Sequence, residues 1–117
     1  MKNPDLVYKV VTGTAYLADS RDGVFLGMPI DKADGYCHLS TATQLAETMT
    51  LHFRGQGDLR ILAVRTYDLG TRLRWEPSRG GQLFPHYYGH LPLSAVAWTA
   101  GTSVGPNGEV DLPEAVA

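Results

Sequence analysis

Residues 59–69, LRILAVRTYDL, form an almost continuous apolar run. Ile61 and Val64 add the branching that favours extended backbone, and the run reads as a central strand buried on both faces. The chain around it has 117 residues, enough for one domain. With 44% hydrophobic and 19% charged residues, it can supply the cover that such a strand needs.

The flanking segments predict the rest. LVYKVV (6–11), between Pro4 and Gly13, predicts a strand. TGTAYLADSRDG offers Thr12 or Thr14 as an N-cap and Gly23 as a stop, which predicts a helix over about 14–21. VFLGMPIDKADG reads as turns, punctuated by Gly27-Met28-Pro29 and Asp34-Gly35. YCHLS (36–40) predicts a short strand. STATQLAETMTLHF then predicts the clearest helix: Ser40 or Thr41 caps it, Leu45, Met49 and Phe53 recur along one face, and Gly55 stops it. LRWE (73–76) and SAVAWTA (94–100) predict further strands. RWEPSRGGQLFPHYYGHLP (74–92), crowded with Pro77, Pro85, Pro92 and three glycines, reads as neither helix nor clean alternating strand. The order predicts an α+β fold, with a single domain over 1–100 and a polar tail or small hairpin over 101–117 around Pro106-Asn107-Gly108.

Composition removes several functions. Ten basic residues against twelve acidic ones, a net charge of −2, give no bulk attraction for a nucleic-acid backbone. Cys37 is the only cysteine, which excludes an internal disulfide and a thiolate metal cluster. MKNPDLVYKVVTG lacks the apolar run of a signal peptide, and no stretch approaches the roughly 20 apolar residues that span a bilayer; the expectation is a soluble, cytoplasmic protein with no membrane partner. No metal is expected: His86 and His90 are four apart, but Pro85, Gly89 and Pro92 oppose the helix that would unite them, and HExxH is absent. GxSxG, a Walker loop and GxGxxG are absent too.

What remains is a set of polar residues in two motifs. If YCHLS is a strand, Tyr36, His38 and Ser40 share one face while Cys37 and Leu39 pair toward the core. Such a row, leading into a helix N-terminus, can form a ligand wall; the plain alternative is hydrogen bonding and capping at the strand–helix junction. Glu76, made extended by Pro77, can serve as a partly desolvated base or hydroxyl acceptor, or simply pair with Arg74 or Arg79. Arg79-Gly80-Gly81 suits close approach to a phosphate or carboxylate, or an ordinary turn. Cys37 reads as an inert core thiol, and His90 and the tyrosines as mainly structural.

VYKV, DGYCHLSTATQLAETMTLHFRGQGDL and the LRWEPSRGG and LFPHYYGHLPLSAV stretches resemble the bacterial "domain of unknown function 952" family over roughly residues 6–98. The resemblance implies a fold similar to the ADP-ribosyltransferases, a bent, split β-sheet with two main helices around a cleft that in those enzymes holds NAD. On that analogy the first-strand ligand position falls at Tyr8-Lys9, where Lys9 stands in place of His or Arg; the second-strand position falls on 36–40, and Glu76 stands for the later glutamate. NAD is the cofactor implied by fold analogy alone.

The two motifs are expected to converge in one pocket for a small-molecule ligand. An enzyme is the first expectation: a transferase or hydrolase on a nucleotide-like or phosphorylated small molecule, with Glu76 and His38 catalytic and Tyr36, Ser40, Arg79, His86 and Lys9 binding ligand. A metabolite sensor without turnover is the second, and an interaction protein whose RWEPSRGG motif braces the fold is the third.

Overall fold

The apolar run around Ile61 becomes the middle strand of a three-stranded antiparallel sheet. A computed structural model describes residues 4–116. In chain order the elements are β1 (Leu6–Thr12), α1 (Gly13–Asp19), β2 (Ser20–Arg21), β3 (Val24–Phe25), α2 (Pro29–Asp34), β4 (Cys37–His38), α3 (Ala42–Phe53), β5 (Leu59–Arg65), β6 (Leu73–Pro77), β7 (Leu83–Tyr87), β8 (Leu91–Pro92) and β9 (Val96–Thr102). Short 3-10 turns lie at Thr66–Arg72, Arg79–Gly81 and Leu93–Ala95.

The strand period of two divides β1 and β5 between two cores. Val7, Val11, Leu62 and Val64 join Phe25, Cys37, Leu39, Tyr87 and Leu91 on one side. Tyr8, Val10, Ile61 and Ala63 join Leu45 and Met49 of α3 on the other, where Phe53 packs partly buried. The face of α3 with four-residue spacing is therefore what holds it to the sheet. Truncating Leu45 or Met49 to alanine should cost about 2–5 kcal/mol, because both are fully buried.

Two smaller antiparallel sheets complete the domain, in strand orders β2–β3–β8 and β4–β7–β6. Tyr8 and Ser40 exchange main-chain hydrogen bonds of 2.8 and 2.9 Å, which stitch β1 to the end of β4. The chain is thus a small α+β domain of three antiparallel sheets with helices packed around them. Among the described residues, no helix is long and apolar enough to cross a membrane.

Several elements differ from the sequence expectation. The turn-rich stretch contains α2: Pro29 stands at its first position, Asp31 accepts the Met28 N–H at 2.7 Å, and Gly35 closes it at φ 84°. Those Pro and Gly signals are start and stop marks of a helix, not of a loop. The irregular 74–92 stretch contains β7, the centre of its sheet despite Pro85. In an antiparallel strand a residue's N–H and C=O point to the same neighbour. Pro85 O accepts from Leu39 N–H at 3.1 Å just past the end of the two-residue β4; the reciprocal donor that proline lacks would have met the Leu39 carbonyl, and the β4–β7 ladder stops there. The first helix ends at Asp19 because Ser20 and Arg21 pair as β2, and β5 ends at Arg65, where the chain tightens into a 3-10 turn. Beyond β9, Val104 bridges Val110, and Val110, Leu112 and Val116 pack against the α3 core.

Candidate functional site

The pleat of the β4–β7–β6 sheet sorts the candidate residues. The register pairs Cys37 with Tyr87 and His38 with His86, and sets Arg74 against His86 and Glu76 against Phe84. Cys37, Leu39, Tyr87, Leu73 and Trp75 therefore fall on the core side. Their chain neighbours His38, Arg74, Glu76, Phe84, His86 and Tyr88 fall on the opposite side. Burial holds the Cys37 thiol up at about 12, with the Asp31 charge adding to the rise against the effect of Lys9, which suits an inert core cysteine.

Lys9 and His38 meet at Asp31. Lys9 lies on the inner face of β1 between Val7 and Val11, and both Lys9 and Asp31 are 4% exposed. Lys9 Nζ donates to Asp31 Oδ1 at 2.8 Å and to the His38 carbonyl at 2.9 Å. Asp31 also accepts the His38 N–H at 3.0 Å and the Met28 N–H at 2.7 Å, and its Oδ1 lies 2.7 Å from His38 Nδ1. Burial alone would raise the Asp31 carboxyl, but the His38 ring bond, the Lys9 charge and hydrogen bond, and the His38 N–H outweigh it and hold it at about 2. His38 Nε2 is 3.0 Å from Asp34 Oδ2, so both ring nitrogens of His38 are occupied by carboxylates.

Glu76 and His86 form a second cluster. Glu76 Oε1 lies 2.8 Å from His86 Nδ1 and accepts the Tyr88 hydroxyl at 2.7 Å. The Tyr88 bond and then the His86 bond hold the Glu76 carboxyl below its usual range; the same bond, with burial, pushes the Tyr88 hydroxyl up. An ionised carboxylate only accepts, so His86 Nδ1 carries the hydrogen and a neutral ring keeps its lone pair on Nε2. Nε2 makes no hydrogen bond among the described residues. The expected pairing of Glu76 with Arg74 or Arg79 is not found: Arg74 lies over the Tyr88 ring at 4.9 Å, and Arg79 Nε is bound to Glu47 Oε1 at 2.7 Å.

Tyr36 stacks across the cluster, with ring centroids 4.3 Å from His86, 4.6 Å from His38 and 5.3 Å from Tyr88. It fixes the two imidazoles laterally while the carboxylates fix them at their nitrogens.

A cavity of about 530 Å³ opens beside these groups, with walls from β1, α2, α3, the β4 end, β7 and the Ser78-Arg79 loop. Among the sequence-predicted residues, Lys9, His38, Ser40, Arg79 and His86 line it; Tyr36 and Glu76 do not, and act on it through the histidines. Ser40 is buried, and its hydroxyl donates to Thr48 Oγ1 at 3.2 Å; Arg79 Nη2 donates to the same oxygen at 3.3 Å. Ser40 does not cap α3: the N-cap is Thr41, whose N–H is accepted by the Gln44 side chain. Apolar wall comes from Val10, Met28, Ile30, Phe53 and Phe84. Among the described residues, no group of three or more His, Cys, Asp or Glu side chains is placed to hold a metal ion.

Sequence reasoning missed Asp31, Asp34, Tyr88 and a polar row that runs along α3 and just past its end. Thr48 and His52, four residues apart beside the apolar Leu45–Met49–Phe53 row, line the cavity, and Gln56, just past the helix end, lines it too. That second periodicity was legible. Asp31 and Asp34 were hidden by reading α2 as turns, and Tyr88 by not seeing β7 as a strand.

Comparisons agree with the architecture. The X-ray crystal structure of protein CC0527 from Caulobacter crescentus superposes with a TM-score of 0.87 at 40% identity, covering 95% of this chain and 97% of that one. A double mutant of CC0527 gives the same TM-score and coverage at 39% identity. The solution NMR structure of CC0527 gives 0.77 at 41% identity, over 92% of this chain and 91% of that one. No curated protein matches the sequence. The family model described as "Protein of unknown function (DUF952)" matches residues 10–99, and the chain belongs to that family.

Proposed function

We propose that this protein is a transferase or hydrolase acting on a nucleotide-like or phosphorylated small molecule, with an ADP-ribosyltransferase-like cleft and NAD as the first ligand to test. The observation that carries the reading is the Glu76–His86 pair, of which His86 lines the 530 Å³ cavity, with Arg79 lining the same cavity. His86 Nε2 accepts the proton of an attacking hydroxyl or water; the oxygen forms the new bond, and the bond to the leaving group breaks with its electron pair on that group. Glu76 holds the required tautomer, and Arg79 holds the anionic part of the ligand. The separation of the strands into small sheets joined through Tyr8 and Ser40 supports the fold analogy.

Thermal shift and calorimetry with NAD, ADP-ribose and ADP, followed by product analysis, test this. Binding and turnover that His86→Ala abolishes while Arg79→Ala weakens binding support it; absence of binding to all three rejects it. A metabolite-binding role without turnover is favoured by one observation: Glu76 does not line the cavity, and its hydrogen bonds run to His86 and Tyr88. Binding without product selects that reading. If Glu76→Gln and His38→Ala lower the melting temperature and no ligand moves it, the motif only braces the fold.

A further inference from the structure

Arg79 already holds an anion, one that the protein itself supplies. Its Nε lies 2.7 Å from Glu47 Oε1, on α3, while its guanidinium lies over the Phe84 ring at 4.9 Å and reaches Thr48. Arg79 lines the cavity and Glu47 does not, so Glu47 holds the guanidinium from outside. The Glu47 side chain is 66% exposed and that of Arg79 28%, and an ion pair so open to water is easily exchanged. Of the five guanidinium N–H groups, one is directed to Glu47 and one to Thr48, which leaves three for a ligand. Gly80 and Gly81 follow at φ 67° and 77°, and an added Cβ at either would meet nothing within 4 Å, so the loop carrying Arg79 is not packed in place on that side.

We propose that Glu47 is an internal competitor for Arg79: it occupies the guanidinium that the ligand's anion would use and so sets the affinity of the site for anions. The proposal rests on the reading that Arg79 binds the ligand's anion. An anion that takes Arg79 must release Glu47, and that cost is the same whichever anion displaces it. The built-in carboxylate therefore weakens phosphates and carboxylates by a similar factor.

Calorimetric titration with inorganic pyrophosphate and with succinate, on the wild type, Glu47→Gln and Arg79→Gln, tests it. The wild type should bind pyrophosphate. Glu47→Gln should bind pyrophosphate about two- to five-fold more tightly, and should gain a similar factor for succinate. Glu47→Ala, at a position open to solvent, serves as a second variant and should behave alike. If Arg79→Gln loses pyrophosphate binding but the Glu47 variants keep the wild-type affinities, the role of Glu47 is overturned and the anion site stands. If the wild type binds no pyrophosphate, or Arg79→Gln binds it undiminished, the anion site itself is overturned, and the role of Glu47 with it.

Discussion

His38 and His86 stand directly opposite each other across β4 and β7, with ring centroids 5.6 Å apart, yet their nitrogens are committed differently. His38 is held by Asp31 and Asp34 at both ring nitrogens; His86 is held by Glu76 at one. The same residue type on adjacent strands therefore offers a fixed wall in one case and a usable lone pair in the other.

The tautomer of His86 can be read directly. Long-range nitrogen–proton correlation spectra of the wild type should show the hydrogen on Nδ1 near neutral pH. In Glu76→Ala, with the acceptor gone, both tautomers should be populated. A wild-type spectrum with the hydrogen on Nε2 rules out His86 as the base.

Asp31→Asn should destabilise the fold by about 3–5 kcal/mol in denaturant unfolding, because Lys9 would stay buried without its counter-charge. Lys9→Met combined with Asp31→Asn should cost less than the sum of the two single changes. A single-variant loss below about 1 kcal/mol would show that the pair is wet.

Acid should act through the same carboxylate. The Asp31 carboxyl sits at about 2 in the folded chain against an ordinary 3.8. A depressed folded value adds stability that is complete above the ordinary one and is lost as pH falls through the folded one. Unfolding free energy should therefore drop by about 2 kcal/mol between pH 4 and pH 2 on account of this group. Asp31→Asn should flatten that part of the curve, and an unchanged acid limb would assign the loss elsewhere.

Gln44 links α3 to the start of β7. Its side chain accepts the Thr41 N–H at 3.0 Å and donates to the Leu83 carbonyl at 2.9 Å, and the residue is 8% exposed. Gln44→Ala should cost about 1–3 kcal/mol, measured as a shift in the denaturant midpoint at constant slope. An unshifted midpoint would mean that water replaces both bonds.

Periodicity carried the parts of this fold that depend on one segment at a time. Ile61 to Val64 are buried on both faces because no polar residue falls among them, and Leu45 and Met49 are buried because their spacing matches a helical turn. Cys37 and Leu39 are buried for the same local reason, the alternation of a strand. Tyr36, His38, Glu76, Arg79 and His86 could be singled out as unusual, since charge, aromatic character and turn residues are written in the sequence itself. Which of them meet was decided elsewhere. His86 joins His38 and Glu76 only because β7 lies between β4, far back in the chain, and its neighbour β6, and this could not be foreseen while Pro85 argued against a central strand. Lys9 meets Asp31, 22 residues on, because both are enclosed where water cannot satisfy either charge. Arg79 pairs with Glu47 rather than with the nearby Glu76 because the turn after β6 aims it at α3. Local pattern is set by side-chain chemistry along one strand or helix; partnership is set by desolvation and strand register, which exist only once the chain has closed on itself.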